Sequence, residues 1–155
     1  MALITEVRTE AEIEQVRSLL RSYRCELPPQ VVLARYDEEL AGLPGQYAAP
    51  RGCMLLATVS GQPAGCVCLR PMTEEGVCEM KRLYVLPTFR GDSLGKQLIE
   101  QIINQARSRE YARMRLDTNP PSMQSAVALY RRYGFVQTSA VEDPVPGFLY
   151  MELEL

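Results

Sequence analysis

The segment with the most chemical content is Arg90-Gly91-Asp92-Ser93-Leu94-Gly95-Lys96, which follows the strand-like Met80-Lys81-Arg82-Leu83-Tyr84-Val85 and leads into a helical run. Where a strand ends and a glycine-containing turn opens a helix, several backbone N–H groups lack a partner within the helix. The positive end of the helix dipole backs them, so the geometry suits a phosphate or pyrophosphate. Taken alone, such a turn also serves as a plain strand-to-helix hinge. Two nucleotide patterns fail here. Gly91 and Gly95 enclose three residues where a P-loop needs four, and Gln97 stands where Ser or Thr would hold magnesium. The dinucleotide pattern G-x-G-x-x-G is absent, as is a clear acidic residue about 20 positions further on.

Composition narrows the chemistry further. The chain has no histidine and no tryptophan, which removes histidine triads and histidine metal sites, and no metal is expected. Its five cysteines, Cys25, Cys53, Cys66, Cys68 and Cys78, are odd in number and lack CxxC spacing, so they read as buried thiols of a reduced compartment. Seventeen Lys and Arg against nineteen Asp and Glu give a net charge of −2. No global positive field draws the chain to nucleic acid or anionic lipid. No apolar run approaches the roughly 20 residues of a membrane span, and the first residues lack a basic segment feeding an apolar stretch, so the cytoplasm is the expected location. A length of 155 residues with 46% hydrophobic content and no divisible linker predicts one domain over residues 1–155.

The elements that must position the Arg90 to Lys96 turn follow from periodicity. Leu3, Thr5 and Val7 alternate as a strand, and Thr9 with Glu12 has capping-box spacing ahead of a helix presenting Ile13, Val16, Leu20 and Tyr23. Pro28 and Pro29 end it, a second helical stretch is predicted around Val31 to Leu40, and Gly42 to Gly52 reads as loop. Cys53 to Val59 and Ala64 to Leu69 form two strands joined through Ser60-Gly61-Gln62-Pro63. A third runs from about Val77 to Leu86. Its alternation breaks, Cys78 and Met80 taking one phase and Leu83 and Val85 the other, so a bulge is predicted near Lys81 and Arg82. Leu94, Leu98, Ile102 and Ala106 mark an amphipathic helix, Arg113 to Thr118 a strand, and Ser122 a cap for a helix through Tyr133 that stops at Gly134. Phe148 to Leu155 is the last strand.

Leu83-Tyr84-Val85 followed by Arg90-Gly91-Asp92-Ser93-Leu94-Gly95 resembles the acyl-CoA motif of the GNAT superfamily of N-acetyltransferases. Ala128-Leu129-Tyr130-Arg131-Arg132-Tyr133-Gly134-Phe135 resembles that superfamily's downstream helix. The resemblance covers nearly the whole chain and implies an α/β (α+β) fold: a mixed, mostly antiparallel sheet flanked by helices, with its fourth and fifth strands splayed. It implies acetyl-CoA as acyl donor, its pantetheine arm on the backbone of Leu83, Tyr84 and Val85. Its pyrophosphate would lie on the N–H groups from Gly91 to Lys96, with Arg90 and Asn119 also at the donor site. Ser93 departs from the usual glycine of this loop, and Asp92 beside an anion should point away.

The resemblance also implies roles. Tyr130 matches a tyrosine near the cofactor sulfur and is the candidate general acid, although Ala126, Leu129, Tyr130 and Tyr133 also have packing spacing. A lysine-like amine with a pKa of about 10.4 must lose a proton before attack. Glu79, ahead of the bulge, is the first candidate to accept it, directly or through water, and Asp117 the reserve. The other reading makes Glu79 a solvated strand residue paired with Lys81 or a neighbouring arginine. Apart from the resemblance, Arg24 or Arg35 is the candidate to receive a substrate carboxylate, the other reading being an exposed structural arginine. Arg107, Arg109, Arg113 and Arg115 read as a solvated basic surface. The expected reaction is acetyl transfer to a primary amine of a small molecule or amino acid, with a non-catalytic acyl-CoA-binding module as the alternative; a homodimer stays open.

Overall fold

The computed structural model describes residues 2–29, 33–118, 120–139, 141 and 143–155, with the backbone alone at 120–125. In chain order the elements are β1 (Ala2–Glu6), α1 (Glu10–Glu26), α2 (Tyr36–Ala41), β2 (Cys53–Val59), β3 (Gln62–Pro71), β4 (Val77–Val85), α3 (Leu94–Ser108), β5 (Arg113–Thr118), α4 (Pro120–Arg132), β6 (Val136–Gln137) and β7 (Leu149–Glu154). Among these residues seven strands form one sheet in the order β1-β2-β3-β4-β5-β7-β6. Every neighbouring pair is antiparallel except β4 with β5. No described helix is long and apolar enough to cross a membrane.

Helices cover both faces. On one, α3 buries Leu94, Leu98, Ile99, Ile102, Ile103 and Ala106 against Val67, Leu69, Met80 and Met114, and α4 adds Val127 and Tyr130 beside Phe135. On the other, Ile13, Val16, Leu19 and Leu20 of α1 pack with Tyr36, Tyr47, Leu56 and Tyr84. The i, i+3, i+4 stripe of each long helix is thus the stripe that meets the sheet. The capping box of α1 forms as expected, with Glu12 N–H donating to Thr9 Oγ1 at 3.2 Å and Thr9 N–H to Glu12 Oε1 at 3.0 Å.

Several boundaries differ from the sequence reading, each for a physical reason. The β2–β3 turn is only Ser60-Gly61, both at positive φ (51° and 79°), as a two-residue hairpin loop requires. Gln62 and Pro63 therefore belong to β3, and Pro63 pairs at a register shift where its missing N–H is tolerated. The second helix is confined to Tyr36–Ala41; Val31 and Val32 lie outside the described residues. Ser122 is not a cap, because α4 already begins at Pro120, where a proline needs no N–H partner. The loop from Gly42 contains a short 3-10 turn at Gly45–Tyr47 that buries Tyr47. The two-residue strand β6 was too short to leave a periodic signal.

Candidate active site

The site is built where β4 and β5 part. They pair only through Val77↔Arg113, Cys78↔Met114 and Glu79↔Arg115. On its other edge β4 matches Cys68↔Lys81 and then Cys66↔Tyr84, three steps on β4 against two on β3. This is the predicted bulge. The extra residue is Arg82, at φ 61°, and its guanidinium is anchored by two hydrogen bonds to Glu39 (2.8 and 2.9 Å) and lies 4.9 Å from the centre of the Tyr36 ring. Burial works against the Glu39 carboxylate, yet the Arg82 hydrogen bonds hold its pKa below the ordinary value. Gly65 is required alongside, since a Cβ there would stand 2.7 Å from the Tyr84 carbonyl oxygen. The parted strands enclose a cavity of about 70 Å³ walled by Met80, Leu83, Leu116, Asp117 and Tyr130, with Tyr23 of α1 at its edge.

Tyr23 and Leu83 also line a larger groove of about 580 Å³ that runs along β4 to the start of α3 and includes Tyr84, Val85, Arg90, Gly91, Ser93, Leu94, Gly95 and Lys96. The first hydrogen bond within α3 is Gln97 N–H to Ser93 C=O at 3.0 Å, so the N–H groups ahead of it have no intrahelical acceptor. Gly91 and Gly95 face open space. Ser93 adopts φ 63°, ψ 16°, a left-handed conformation that a glycine takes without strain. Asp92 is exposed and does not line the groove. One expectation needs correction: the Val85 carbonyl is not free, because it accepts from Arg90 Nε at 2.8 Å. Arg90 also donates to Glu26 at 2.8 Å, and Glu26 accepts from the Tyr84 hydroxyl. Asn119 lies outside the described residues.

Of the candidate proton carriers, the geometry brings two into the gap. Tyr130 is buried, packs edge-on against Phe135 at 5.8 Å and borders the cavity, so the packing position and the cavity position are the same position. Burial pushes its phenol pKa well above the ordinary value, with smaller contributions from Tyr23 and Asp117. Asp117 shares that cavity. Glu79 does not line it; 6% exposed, it is held by Arg70 Nε at 2.6 Å, and Arg70 reaches on to Gln46 at 2.9 Å. The partner is thus an arginine of β3, and the residue is buried where a solvated pairing was one of the two sequence readings.

Tyr23, which spans both cavities, was missed as a site residue because its spacing in α1 matches the packing stripe. Its phenol pKa is raised by burial and, less, by Asp117.

On the α2 side a third cavity of about 430 Å³ is bordered by Arg35, Glu38, Glu39, Gln46, Lys81 and Arg82. It shares Lys81 and Arg82 with the gap. Arg35 is exposed and occupied by Glu38 at 2.8 Å, while Arg24, in the last turn of α1, lines none of the three cavities. The basic run is not simply solvated: Arg113 and Arg115 share Glu74 and Glu152, and Arg109 pairs with Glu6. Four cysteines are buried and unpaired, but Cys25 is exposed, contrary to expectation. Burial raises the thiol pKa of Cys53 to about 11 and of Cys66 and Cys78 to about 12, which leaves them inert.

Residues 13–135 match the acetyltransferase (GNAT) family. An uncharacterized N-acetyltransferase of Schizosaccharomyces pombe is 36% identical over 154 residues, 98% of this chain and 94% of that protein. The N-acetylaspartate synthetase of Danio rerio is 30% identical over 131 residues, 81% of this chain and 46% of its own length. A GNAT-family acetyltransferase structure from Staphylococcus aureus superposes over 99% of both chains with a TM-score of 0.83 at 16% identity, a likeness of fold. By the match over residues 13–135 and the relative aligned over nearly the whole chain, on a sheet that parts between β4 and β5, the chain belongs to the GNAT family and is an acetyl-CoA-dependent N-acetyltransferase.

Proposed function

We propose that the protein moves the acetyl group of acetyl-CoA to the primary amine of a small molecule or amino acid by direct attack. The observation that carries this reading is that the groove at α3 and the small gap share Tyr23 and Leu83 as lining residues. The pyrophosphate fits the N–H groups from Gly91 to Lys96, with Arg90 released from Glu26 to meet it, and the pantetheine arm runs along Leu83 to Val85. That brings the thioester to the gap beside Tyr130. The acceptor amine, stripped of one proton, attacks the carbonyl carbon; as the tetrahedral intermediate collapses the C–S bond breaks, Tyr130 gives its proton to the departing thiolate, and the nitrogen sheds its second proton, which restores the phenol and leaves the neutral amide. A phenol whose pKa is raised keeps that proton across the neutral range.

For the proton leaving the amine, the position of Asp117 in the gap reverses the order expected from sequence. Asp117 accepts it. Glu79, behind its ion pair with Arg70, acts on the substrate only through that pair or through water. The test is release of CoA thiol from acetyl-CoA over a panel of primary amines. Release that depends on the amine supports the reading; acetyl-CoA binding without amine-dependent release would overturn it.

A further inference from the structure

Acceptor selection is legible in the charges around the α2-side cavity. Its border holds three cations, Arg35, Lys81 and Arg82, and two carboxylates, Glu38 and Glu39. Two of the cations are already answered: Arg35 donates to Glu38 at 3.0 and 2.8 Å, and Arg82 to Glu39 at 2.8 and 2.9 Å. Gln46 is engaged with Arg70, Glu39 and Tyr47. Among the described residues Lys81 carries no ion pair, and it is half-buried at the junction where this cavity meets the gap. Its ammonium is near enough to Glu39 to help hold that carboxyl down, after the larger effect of Arg82. A half-buried ammonium with no direct ion pair, on the border shared by two cavities, can receive an anion. On the far wall of the gap stands the opposite charge, Asp117.

From this arrangement we infer that the acceptor is a small amino carboxylate: its carboxylate lies on Lys81, its amine faces Asp117, and its side chain occupies the α2-side cavity. The inference rests on the gap being the transfer site. It moves the carboxylate-binding role from Arg24 and Arg35 to Lys81, because the charge of Arg35 is spent on Glu38 and Arg24 lies apart from the cavities. A peptide N-terminus or a protein lysine lacks a free carboxylate beside its amine and gains nothing from this site.

The test compares kcat/KM for free amino acids with that for their carboxamides and for the amines of the same side chain without the carboxylate. The acids should exceed both by roughly tenfold or more, the worth of one charge-assisted hydrogen bond, and the difference should lie mainly in KM. In Lys81→Met the ratio of acid to amide should fall towards one, and Lys81→Arg should restore part of it. Thermal melting of each variant checks that it is folded. Equal turnover of acid and amide by the parent enzyme, or a parental ratio in Lys81→Met, would overturn the inference while leaving acetyl transfer intact. Turnover of no amine at all would instead remove the transfer reading and this inference with it.

Discussion

The groove proposed for the donor and the cavity proposed for the acceptor each share lining residues with one gap and are built by different rules. Most of the residues lining the groove come from one stretch, Leu83 to Lys96, with the end of α1 and α4 supplying the rest, and the groups proposed to hold the donor are largely backbone N–H and C=O. The cavity proposed for the acceptor draws on α2, the turn after it and β4, and it presents the side chains of Arg35, Glu39, Gln46, Lys81 and Arg82. Main-chain recognition needs a strand end, a bulge and a helix start, which a short stretch of sequence specifies. Side-chain recognition needs several elements to arrive together, so neighbours in sequence say little about it.

Variants in the gap test both halves at once and should have the largest effects. Tyr130→Phe should lower turnover about 10²- to 10⁴-fold, the loss typical of a general acid, while the ring keeps its packing on Phe135. Because burial raises the Tyr130 phenol above its ordinary value of 10.0, the proton donor is retained as pH rises, and the parent rate should show no alkaline decline below about pH 10. Asp117→Asn should cost about 10² or more in turnover near neutrality, with the deficit shrinking as rising pH deprotonates the amine in solution. A pH-rate profile parallel to the parent's would remove Asp117 from the reaction.

Gly95→Val confines the damage to the donor half. A Cβ at Gly95 meets nothing within 4 Å, so the variant should fold normally and yet crowd the pyrophosphate approach. Losing one hydrogen bond to a charged group, about 1.5–3 kcal/mol, raises KM for acetyl-CoA roughly 10- to 150-fold. Calorimetric titration with acetyl-CoA checks this, and an unchanged affinity would place the phosphate elsewhere.

Glu79→Gln asks whether the acceptor half needs this carboxylate for chemistry or for structure. Arg70 would keep a hydrogen-bond partner and lose its counter-charge, so stability should fall by about 1–2 kcal/mol, lowering Tm by several degrees. Turnover well below the melting point should drop far less than in Asp117→Asn; the opposite ranking would restore Glu79 as the proton acceptor. The smallest effect is expected at Ser93→Gly, which relieves a left-handed residue at φ 63°. Stability should rise by up to about 1 kcal/mol, and acetyl-CoA should bind at least as tightly as to the parent.

Much of the donor half could be read from the sequence because its signals are local. The change of phase between Met80 and Leu83 located the bulge, and the spacing of Leu94, Leu98 and Ile102 gave the face of α3 that meets the sheet. What escaped was long-range. Tyr23 looked like one more apolar position of α1, and only the fold brings it to Leu83 and Tyr130. The pairing of Glu79 with Arg70 across β3 and β4 depends on register, and with Arg35 held by Glu38 and Arg82 by Glu39, Lys81 is the cation of that cavity without an ion pair among the described residues, which no motif marks. The Arg90 contact with the Val85 carbonyl was equally hidden, being a choice of rotamer.

Arg82 has a further consequence, best put in terms of chain length. With it removed, Cys78, Met80, Leu83 and Val85 would fall in unbroken alternation, as would Glu79, Lys81 and Tyr84, and Lys81 and Tyr84 would stand two apart like Cys68 and Cys66 across from them. The hydrophobic layers therefore do not require this residue. A one-residue deletion, usually ruinous inside a strand because it exchanges the faces, would here leave every core side chain on its own side. The shortened strand would be free to continue its ladder with β5, closing the gap. On the reading proposed above, such a protein would keep its sheet and lose its substrate site, so that strand length at this point would itself be a functional trait, one that a survey restricted to substitutions would pass over.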